Sequence, residues 1–494
     1  MDPWSKIAQL SPRETRDLQN RKLSQFVNTY LYPFSPHYRK LFDQHAIDPR
    51  SIKTVEDLRR VPFTSKRDFL APDENPEKFR DFILQPSPET IRKFWPLSRS
   101  AGLALAAAFR GREYAEDILA REFRPSFMTF TTGTTSKPIS YLYSEHDMAN
   151  LRASGCRMLH LFDIAGSDRI VNMFPYAPHL AFWQVVFGGL ESSVLIMSTG
   201  GGKTLGTDGN IAALMKMQPA VLVGVPCYVY HVLREAKKLG CNMEFLKKIV
   251  LGASRISEGF KIKVAQLLES MGARDVAVFG TYGFTEARTA WAECPTAVHV
   301  SSGYHLYPDK EIFEVIDPET GDVKKDGEDG ELVYTSIDAR GSVVFRYRTG
   351  DFVKGGITRE PCPHCGRRVP RIASDITRLS DVMDLQLSKI KGSLVNLNNF
   401  TSILSEIRDV EEWQIELRKK DRDPFEVDEV IVFVAKRPGA DEARLKEEIK
   451  KKVLLLTEVA PNEVHFVELP EMIRRLEMET AHKARRIVDT RPGN

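Results

Sequence analysis

The chain has 494 residues, is 42% hydrophobic and 28% charged, and carries a formal net charge of +3 at pH 7. That length exceeds what a single hydrophobic core usually serves, so two or more domains are expected. The composition is ordinary for a globular protein, and so small a net charge gives no sign of nucleic acid or an acidic membrane as a partner.

The opening "MDPWSKIAQLSPRETRDLQNRK" is charged throughout and lacks the apolar core of a signal peptide, which sets the expectation of a cytoplasmic protein. Within it, "SPRETRDLQNRKLSQFVNTYLY" begins on a Ser-Pro cap signal and repeats apolar residues at helical spacing, predicting a helix. "LALAAAF", Leu103 to Phe109, is apolar but fenced by Arg99 and Arg110, far below membrane-spanning length.

Next comes "FTTGTTSKPIS", Phe130 to Ser140, where Thr131, Thr132, Thr134, Thr135 and Ser136 bracket Gly133 and precede Lys137. A turn needs one glycine or proline and a cap one hydroxyl, so this surplus asks for a ligand rich in acceptor oxygens. Phosphate fits, because successive N–H groups around a glycine form an anion-binding concavity, hydroxyls donate to oxygens and a lysine adds charge. A plain Ser/Thr-rich surface loop is the alternative.

Beyond this loop, short apolar runs alternate with amphipathic stretches. "RIVNMFPY", "SSVLIMS", "AVLVGVP", "KKIVLGA" and "DVAVFGTYG" read as strands, while "DGNIAALMKMQ", "YHVLREAKKLG" and "SEGFKIKVAQLLESMG" read as helices. Such alternation predicts an α/β sheet with parallel strands covered by helices. "MSTGGGKTLG" contains Gly202-Lys203-Thr204 but has Met197 where a P-loop needs glycine, so it reads as a glycine-rich strand-to-helix loop. "GTYGFTEAR" sets Tyr282, Thr285 and Glu286 after a strand, and "FRYRTGDF" does the same for Asp351. Carboxylates there could hold Mg²⁺ or ribose hydroxyls, or serve as turn residues.

From about Tyr304 hairpins take over, as in "EIFEVIDPETGDVKKDGEDGELVYTSID". After about Asp375, "EWQIELRKK", "DEVIVFVAKR", "DEARLKEEIKKKVLLLTEV" and "NEVHFVEL" predict a small α+β unit, giving domains of 1–375 and 376–494. The lysines of "KEEIKKK" read as a solvated helix face. Six cysteines are too sparse for a disulfide scaffold, and clustered ones are better candidates for metal ligands.

Taken in order, "VPFTSKRDFL", "TTGTTSKPI", "STGGGKT", "VGVPCYVYHVL", "LGASRISE", "TYGFTE", "GEDGELVYTS", "RYRTGD", "CPHCGRRVPRI" and "HKARRIVDTR" resemble the adenylate-forming superfamily, and within it the phenylacetate–CoA ligase-like family. The resemblance covers most of the chain. It implies a large N-terminal adenylate-forming domain with mixed sheets and helices, and a small mobile α+β C-terminal domain. It also implies a chemistry: a carboxylate attacks the α-phosphate of ATP, pyrophosphate leaves, and the thiol of coenzyme A opens the acyl-adenylate.

On that resemblance Thr131, Thr132, Gly133, Thr134, Thr135 and Lys137 would cradle the phosphates, Mg²⁺ would sit near Glu286, and Thr285 and Glu286 would be catalytic. Gly252, Ala253, Ser254, Tyr282 and Gly283 would line adenine, Asp351 would accept from ribose, and Arg378 matches the hinge arginine one position early. Lys483 would bridge carboxylate and α-phosphate from the mobile domain. Cys294, His305, Cys362 and Cys365 resemble a structural zinc site found in part of the family, with His299 and His364 as competing ligands and a bare hairpin cysteine pair as the alternative. Cys156, Cys227 and Cys241 fall in helix or strand patterns and read as core or inert thiols.

Departures from the family pattern fall at Ser136, at Ser254 and Arg255, and in the hinge, where Asp381 is kept, Val382 replaces an acid, and Lys391-Gly392 is displaced. Phe174, Tyr176, His179, Phe182 and Trp183 are candidates for an aryl-acid pocket or for core packing, and Phe94 to Arg124 is a second segment that could shape the acid site. The expected partners are a small carboxylic acid, ATP and coenzyme A, with no nucleic acid or membrane, and with a homodimer open as the assembly. The irregular hinge keeps other readings in view: another acceptor, such as an amine, a carrier protein or a deazaflavin-type coenzyme, or a nucleotide-binding regulatory homologue.

Overall fold

The computed structural model describes residues 3–70, 75–131, 139–254, 256–294, 300–379, 387–390, 393–419, 428–457, 459–478 and 484–491. The helix expected from the Ser-Pro signal runs Pro12–Phe26. Ser11 caps it in a reciprocal box: its hydroxyl accepts from the Glu14 N–H at 3.3 Å, and the Glu14 carboxylate accepts from the Ser11 N–H at 2.8 Å. Its inward residues Leu23 and Phe26 are buried in the main core.

Strands β1 (Pro125–Phe130) and β2 (Ser140–Ser144) form an antiparallel hairpin whose last ladder pair is Phe130 with Ser140. There follow β3 (Arg169–Asn172), β4 (Leu195–Ser198), β5 (Val221–Gly224), β6 (Lys248–Leu251), β7 (Ala277–Phe284), β8 (Thr289–Ala292) and β9 (Tyr304–His305). After them come β10 (Glu311–Ile316), β11 (Gly330–Ser336), β12 (Tyr347–Lys354), β13 (Ile357–Thr358), β14 (Arg371–Ile372) and β15 (Asp375–Arg378). One large sheet has the order β13-β14-β9-β8-β7-β6-β5-β3-β4, and a second has β10-β11-β12-β15.

In the large sheet β4, β3, β5, β6 and β7 are parallel, as the α/β alternation predicts, and β7 turns antiparallel to β8. The chain leaves β3 to build β4 on one side and then returns to build β5 on the other. The strand order therefore reverses between β3 and β5, and a ligand crevice is expected beyond their carboxyl ends. "MFPY", Met173 to Tyr176, follows β3 into that position and Pro226-Cys227 follows β5.

Two sequence readings shift here. β7 continues through Tyr282 to Phe284, and Asp351 lies inside β12 rather than after a strand. "DVAVFGTYG" already reads as strand up to Gly283, whereas the segment around Asp351 looks like a loop because of its polar residues and Gly350. In β12, however, Tyr347, Thr349 and Asp351 occupy the buried positions of an alternating strand, with Gly350 taking φ +70°.

Past residue 386, β16 (Leu387–Ile390) and β17 (Ser393–Asn396) form a hairpin. β18 (Val410–Lys419), β19 (Asp428–Lys436), β20 (Glu463–Phe466) and β21 (Ile487–Asp489) then make a sheet of order β20-β19-β18-β21. The helices Leu397–Glu406 and Glu442–Thr457 cover it around Trp413, Ile415, Val432 and Ile449, a core separate from the main one. The fold is thus a large mixed α/β unit followed by a smaller α+β unit. Among the described residues no helix is long and apolar enough to cross a membrane.

Candidate active site and metal centre

Of the Thr-rich segment the described residues are those at its two ends, with Thr131 after β1 and Ile139 before β2. Thr131 and Ile139 close its base: the Thr131 N–H donates to the Ile139 carbonyl at 3.1 Å, and the Ile139 N–H donates to Thr131 Oγ1 at 3.0 Å. Thr132, Gly133, Thr134, Thr135, Ser136 and Lys137 lie outside the described residues, as do Lys483, Arg255, Asp381, Val382, Lys391, Gly392 and His299.

The carboxyl ends of β6 and β7 lie side by side in the large sheet. Gly252 follows β6 directly, and a Cβ there would come within 2.4 Å of Thr281 Oγ1, so only glycine fits. Thr281 Oγ1 donates to the Leu251 carbonyl at 3.0 Å, tying the two strand ends together. Ala253 adopts φ +67°, a left-handed backbone that a side chain disfavours, and such strain gathers at functional sites. Phe174, from the segment after β3, reaches the same Gly252, so "LGAS" and the aromatic segment share one wall.

Tyr282 donates its hydroxyl to Asp351 Oδ2 at 2.8 Å, and Arg378 Nη1 lies 3.0 Å from Asp351 Oδ1. Asp351 and Arg378 are ladder partners of β12 and β15. Burial, and then the Asp351 charge, hold the Tyr282 phenol well above its ordinary value, while Asp351 raises the Arg378 guanidinium. Gly283 pairs with Ala290 across the β7–β8 ladder.

Thr285, Glu286 and Ala287 form a single 3₁₀ turn after β7, and Arg288 then takes φ +59°. Glu286 Oε1 accepts from the Tyr347 hydroxyl at 3.1 Å. Burial and then the Glu286 charge raise both Tyr347 and Tyr141 far above the usual tyrosine value. Among the described residues the buried Tyr141 hydroxyl finds no hydrogen-bond partner; it lies two residues beyond Ile139. Behind the turn, Arg288 pairs with Asp147 at 2.8 Å, both buried. β12 therefore supplies two site residues from one face, Tyr347 to Glu286 and Asp351 to Tyr282. Sequence reading missed Tyr347 and Tyr141; the alternation around "FRYRTGD" was the available signal for Tyr347.

The aromatic segment divides. Phe174 and Phe182 are buried, Trp183 stacks on Phe187 with ring centroids 5.7 Å apart, and Tyr176 is exposed. His179 shares a hydrogen bond of 3.3 Å with the Phe130 carbonyl at the hairpin base, and burial lowers its proton affinity, favouring the neutral ring. Within Phe94 to Arg124, the helix Leu97–Arg110 buries none of its residues fully.

The cysteine cluster is assembled by strand pairing. β8 pairs Ala292 with His305 of β9, which sets Cys294 near the imidazole. β9 pairs with β14, and the loop between β13 and β14 carries Cys362 and Cys365 back to the same place. Cys294 Sγ lies 3.6 Å from Cys362 Sγ, Cys365 Sγ lies 3.3 Å from His305 Nε2, and all four ligand atoms fall within 4.8 Å of one another. Zinc–sulfur bonds of about 2.3 Å in a tetrahedron put neighbouring sulfurs roughly 3.7 Å apart, so the spacing suits that ion. His305 Nδ1 is 3.3 Å from the Ala292 carbonyl, which leaves Nε2 facing Cys365, where it could serve as a ligand. Hydrogen bonding from Cys294 lowers the Cys362 and Cys365 thiols. His364 does not join the cluster. The preceding residue Glu293, which sequence reading also missed, accepts from Lys261 at 2.8 Å and from the Gly280 N–H at 2.6 Å, joining this centre to β7.

Residues 46–341, more than half of the chain, match the family model described as AMP-binding enzyme. A phenylacetate-coenzyme A ligase of Thermus thermophilus is 25% identical over 481 residues, 97% of this chain and 91% of that protein. Another from Aromatoleum evansii is 25% identical over 499 aligned positions, 98% of this chain and 97% of that protein. Among solved structures, 2-hydroxyisobutyryl-CoA ligase in its postadenylation state with 2-HIB-AMP superposes with a TM-score of 0.72 at 19% identity, over 99% of this chain and 92% of that one. Its fold is shared throughout.

Proposed function

Because the chain belongs to the AMP-binding enzyme family, we propose that it joins a carboxylic acid to ATP as an acyl-adenylate and passes the acyl group to the thiol of coenzyme A. The observation that carries this reading is the convergence of Asp351 and Glu286, held by Tyr282 and Tyr347, with Glu286 facing Tyr141 of β2.

Two anions must meet in the first step, so charge neutralisation is the catalytic problem. Thr131 closes the loop in which Thr132, Gly133, Thr134, Thr135 and Lys137 would donate to the departing phosphates. Mg²⁺ bound near Glu286 and Thr285 would offset phosphate charge. Tyr282 and Gly283, with Gly252, Ala253 and Ser254, would flank adenine. Asp351 lies on the buried face of β12, and a carboxylate's acceptor oxygens suit ribose hydroxyls. Lys483, on the smaller unit, would lie between the attacking carboxylate and the α-phosphate.

The acid would enter at the strand-order reversal, where Phe174 meets Gly252 and Phe182 and Trp183 pack close by. An aromatic acid suits that wall, and the relatives named for phenylacetate support the same class. Cys294, His305, Cys362 and Cys365 would hold zinc as a structural clasp, since four protein ligands leave no open position. The division between the two units falls after β15, which pairs with the large unit. Pyrophosphate–ATP exchange over a panel of aryl and alkyl acids tests the reading: exchange that requires an acid is expected, and no exchange with any acid would reject it.

A further inference from the structure

Directly after the Glu286 turn the backbone takes an uncommon form. Arg288 adopts φ +59° and ψ 24°, a left-handed conformation that side chains other than asparagine or aspartate seldom accept, and the residue is buried. In that conformation it reaches β2. Its Nη1 lies 2.8 Å from Asp147 Oδ1 and donates to the Leu142 carbonyl at 3.3 Å, and its guanidinium sits 5.4 Å from the centre of the Tyr143 ring.

Asp147 is a fixed counterion. Its carboxylate accepts from the Ser144 N–H at 2.9 Å, the Arg340 N–H at 3.1 Å and the Gly341 N–H at 2.6 Å. Gly341 is wedged against β2, since a Cβ there would come within 2.2 Å of the Leu142 carbonyl oxygen, which also accepts from the Ser342 N–H at 2.9 Å. Backbone donors from two distant segments therefore hold the carboxylate in place, and they leave the arginine one position to fill.

β2 carries Tyr141 and Tyr143 on one buried face. Glu286 faces the first and Arg288 the second, so the turn and β2 are set against each other at two points. The arrangement also keeps two charges apart. Among the described residues Arg288 pairs with Asp147 and not with Glu286, whose carboxylate accepts from Tyr347. An arginine without Asp147 would be free to neutralise Glu286 and to compete there with any other cation.

We propose that Arg288 is a positioning residue, which by clasping Asp147 and the Leu142 carbonyl sets the Glu286 carboxylate against β2 and keeps its charge available to a divalent cation. The proposal rests on the ligase reading for placing that cation at Glu286; the clasp stands on its contacts alone.

The test uses the full chain with three variants. Arg288→Asn accepts the left-handed backbone but removes the charge. The double variant Arg288→Asn with Asp147→Asn removes both buried charges, which spares the fold an unpaired carboxylate. Arg288→Lys restores a cation opposite Asp147. Mn²⁺ retained in the presence of ATP, read by electron paramagnetic resonance, is expected to bind about tenfold more weakly in the first two variants and within about threefold of the parent in the third. The Kd for AMP without metal should stay within about twofold in all three. Hydrogen exchange of the segments 140–144 and 285–290 reads the clasp with no ligand present, and it should quicken in both asparagine variants. Where the single variant does not fold, the double variant and Arg288→Lys decide.

Unchanged Mn²⁺ binding in the asparagine variants, or no Mn²⁺ retained by the parent, would overturn the proposal. So would an equal weakening of metal-free AMP binding, which marks general damage to the site, and so would a lysine variant as weak as the asparagine ones. Unchanged hydrogen exchange would overturn the clasp itself. If the parent shows no pyrophosphate exchange with any acid, the ligase reading fails, and Mn²⁺ binding and hydrogen exchange still decide the role of Arg288.

Discussion

Asp351 and Arg378 face each other across paired strands, one carboxylate oxygen 3.0 Å from the guanidinium and the other 2.8 Å from the Tyr282 hydroxyl. One carboxylate thus fixes an aromatic ring from the large sheet and an arginine from the last strand before the smaller unit. Replacing it would remove the proposed acceptor for ribose and free both neighbours. Asp351→Asn should weaken ATP binding by roughly 2 kcal/mol, about thirtyfold in Kd, by calorimetric titration. An unaltered Kd in a normally melting variant would remove Asp351 from the nucleotide site.

Lys483 has a different task, since it is proposed to act where the two anions meet. Lys483→Ala should lower acid-dependent pyrophosphate exchange by about a hundredfold or more while leaving the Kd for ATP within about threefold. Equal rates in variant and parent would take Lys483 out of the reaction.

The cysteine cluster makes a compositional prediction. Purified protein should contain about one zinc ion per chain by elemental analysis, and Cys362→Ser should lower both zinc content and melting temperature. Metal-free protein with the same melting temperature as the loaded form would argue against a structural clasp.

Glu311 gives the pH dependence of stability a definite sign. Its carboxylate accepts from Trp291 Nε1 at 2.6 Å and the Tyr307 N–H at 2.8 Å, and its other oxygen is buried with no partner among the described residues. It borders a cavity of about 30 Å³ shared with Asp147, Arg288 and Lys310. Burial pushes its folded-state value up to about 8, from 4.5 when exposed. Between those two values the unfolded chain has released the proton and the folded chain has kept it, so stability falls as pH rises through that window and levels off above it. The total is on the order of a few kcal/mol. Glu311→Gln keeps an acceptor for Trp291 and should flatten the dependence in denaturant titrations at pH 5 and pH 8. An unchanged slope would show that Glu311 ionises normally in the fold.

How far the sequence reaches differs between fold and site. The strand and helix alternation from Arg169 to Glu269 was legible because each element repeats one hydrophobic period over a short run. Asp351 was recognisable as a candidate, yet its place inside β12 was not, since Gly350 and the flanking polar residues imitate a turn. Tyr347 and Tyr141 carry no motif; they meet Glu286 only because β12 and β2 are brought to the same turn from distant parts of the chain. The cysteine and histidine identities could be read from their residue types, but the pairing of β14 with β9 that unites them is a long-range fact. The Arg234–Glu411 contact lies further still from sequence reasoning, because it joins two units.

The central claim is that the acid's own oxygen attacks the α-phosphate, and isotope transfer tests it most directly. The protein would be incubated with phenylacetate carrying heavy oxygen in its carboxylate, together with ATP, Mg²⁺ and coenzyme A, and the nucleotide product weighed. The account predicts AMP that has gained one heavy oxygen, with the remaining label in the thioester. Unlabelled AMP formed alongside the thioester, or ADP as the nucleotide product, would contradict it.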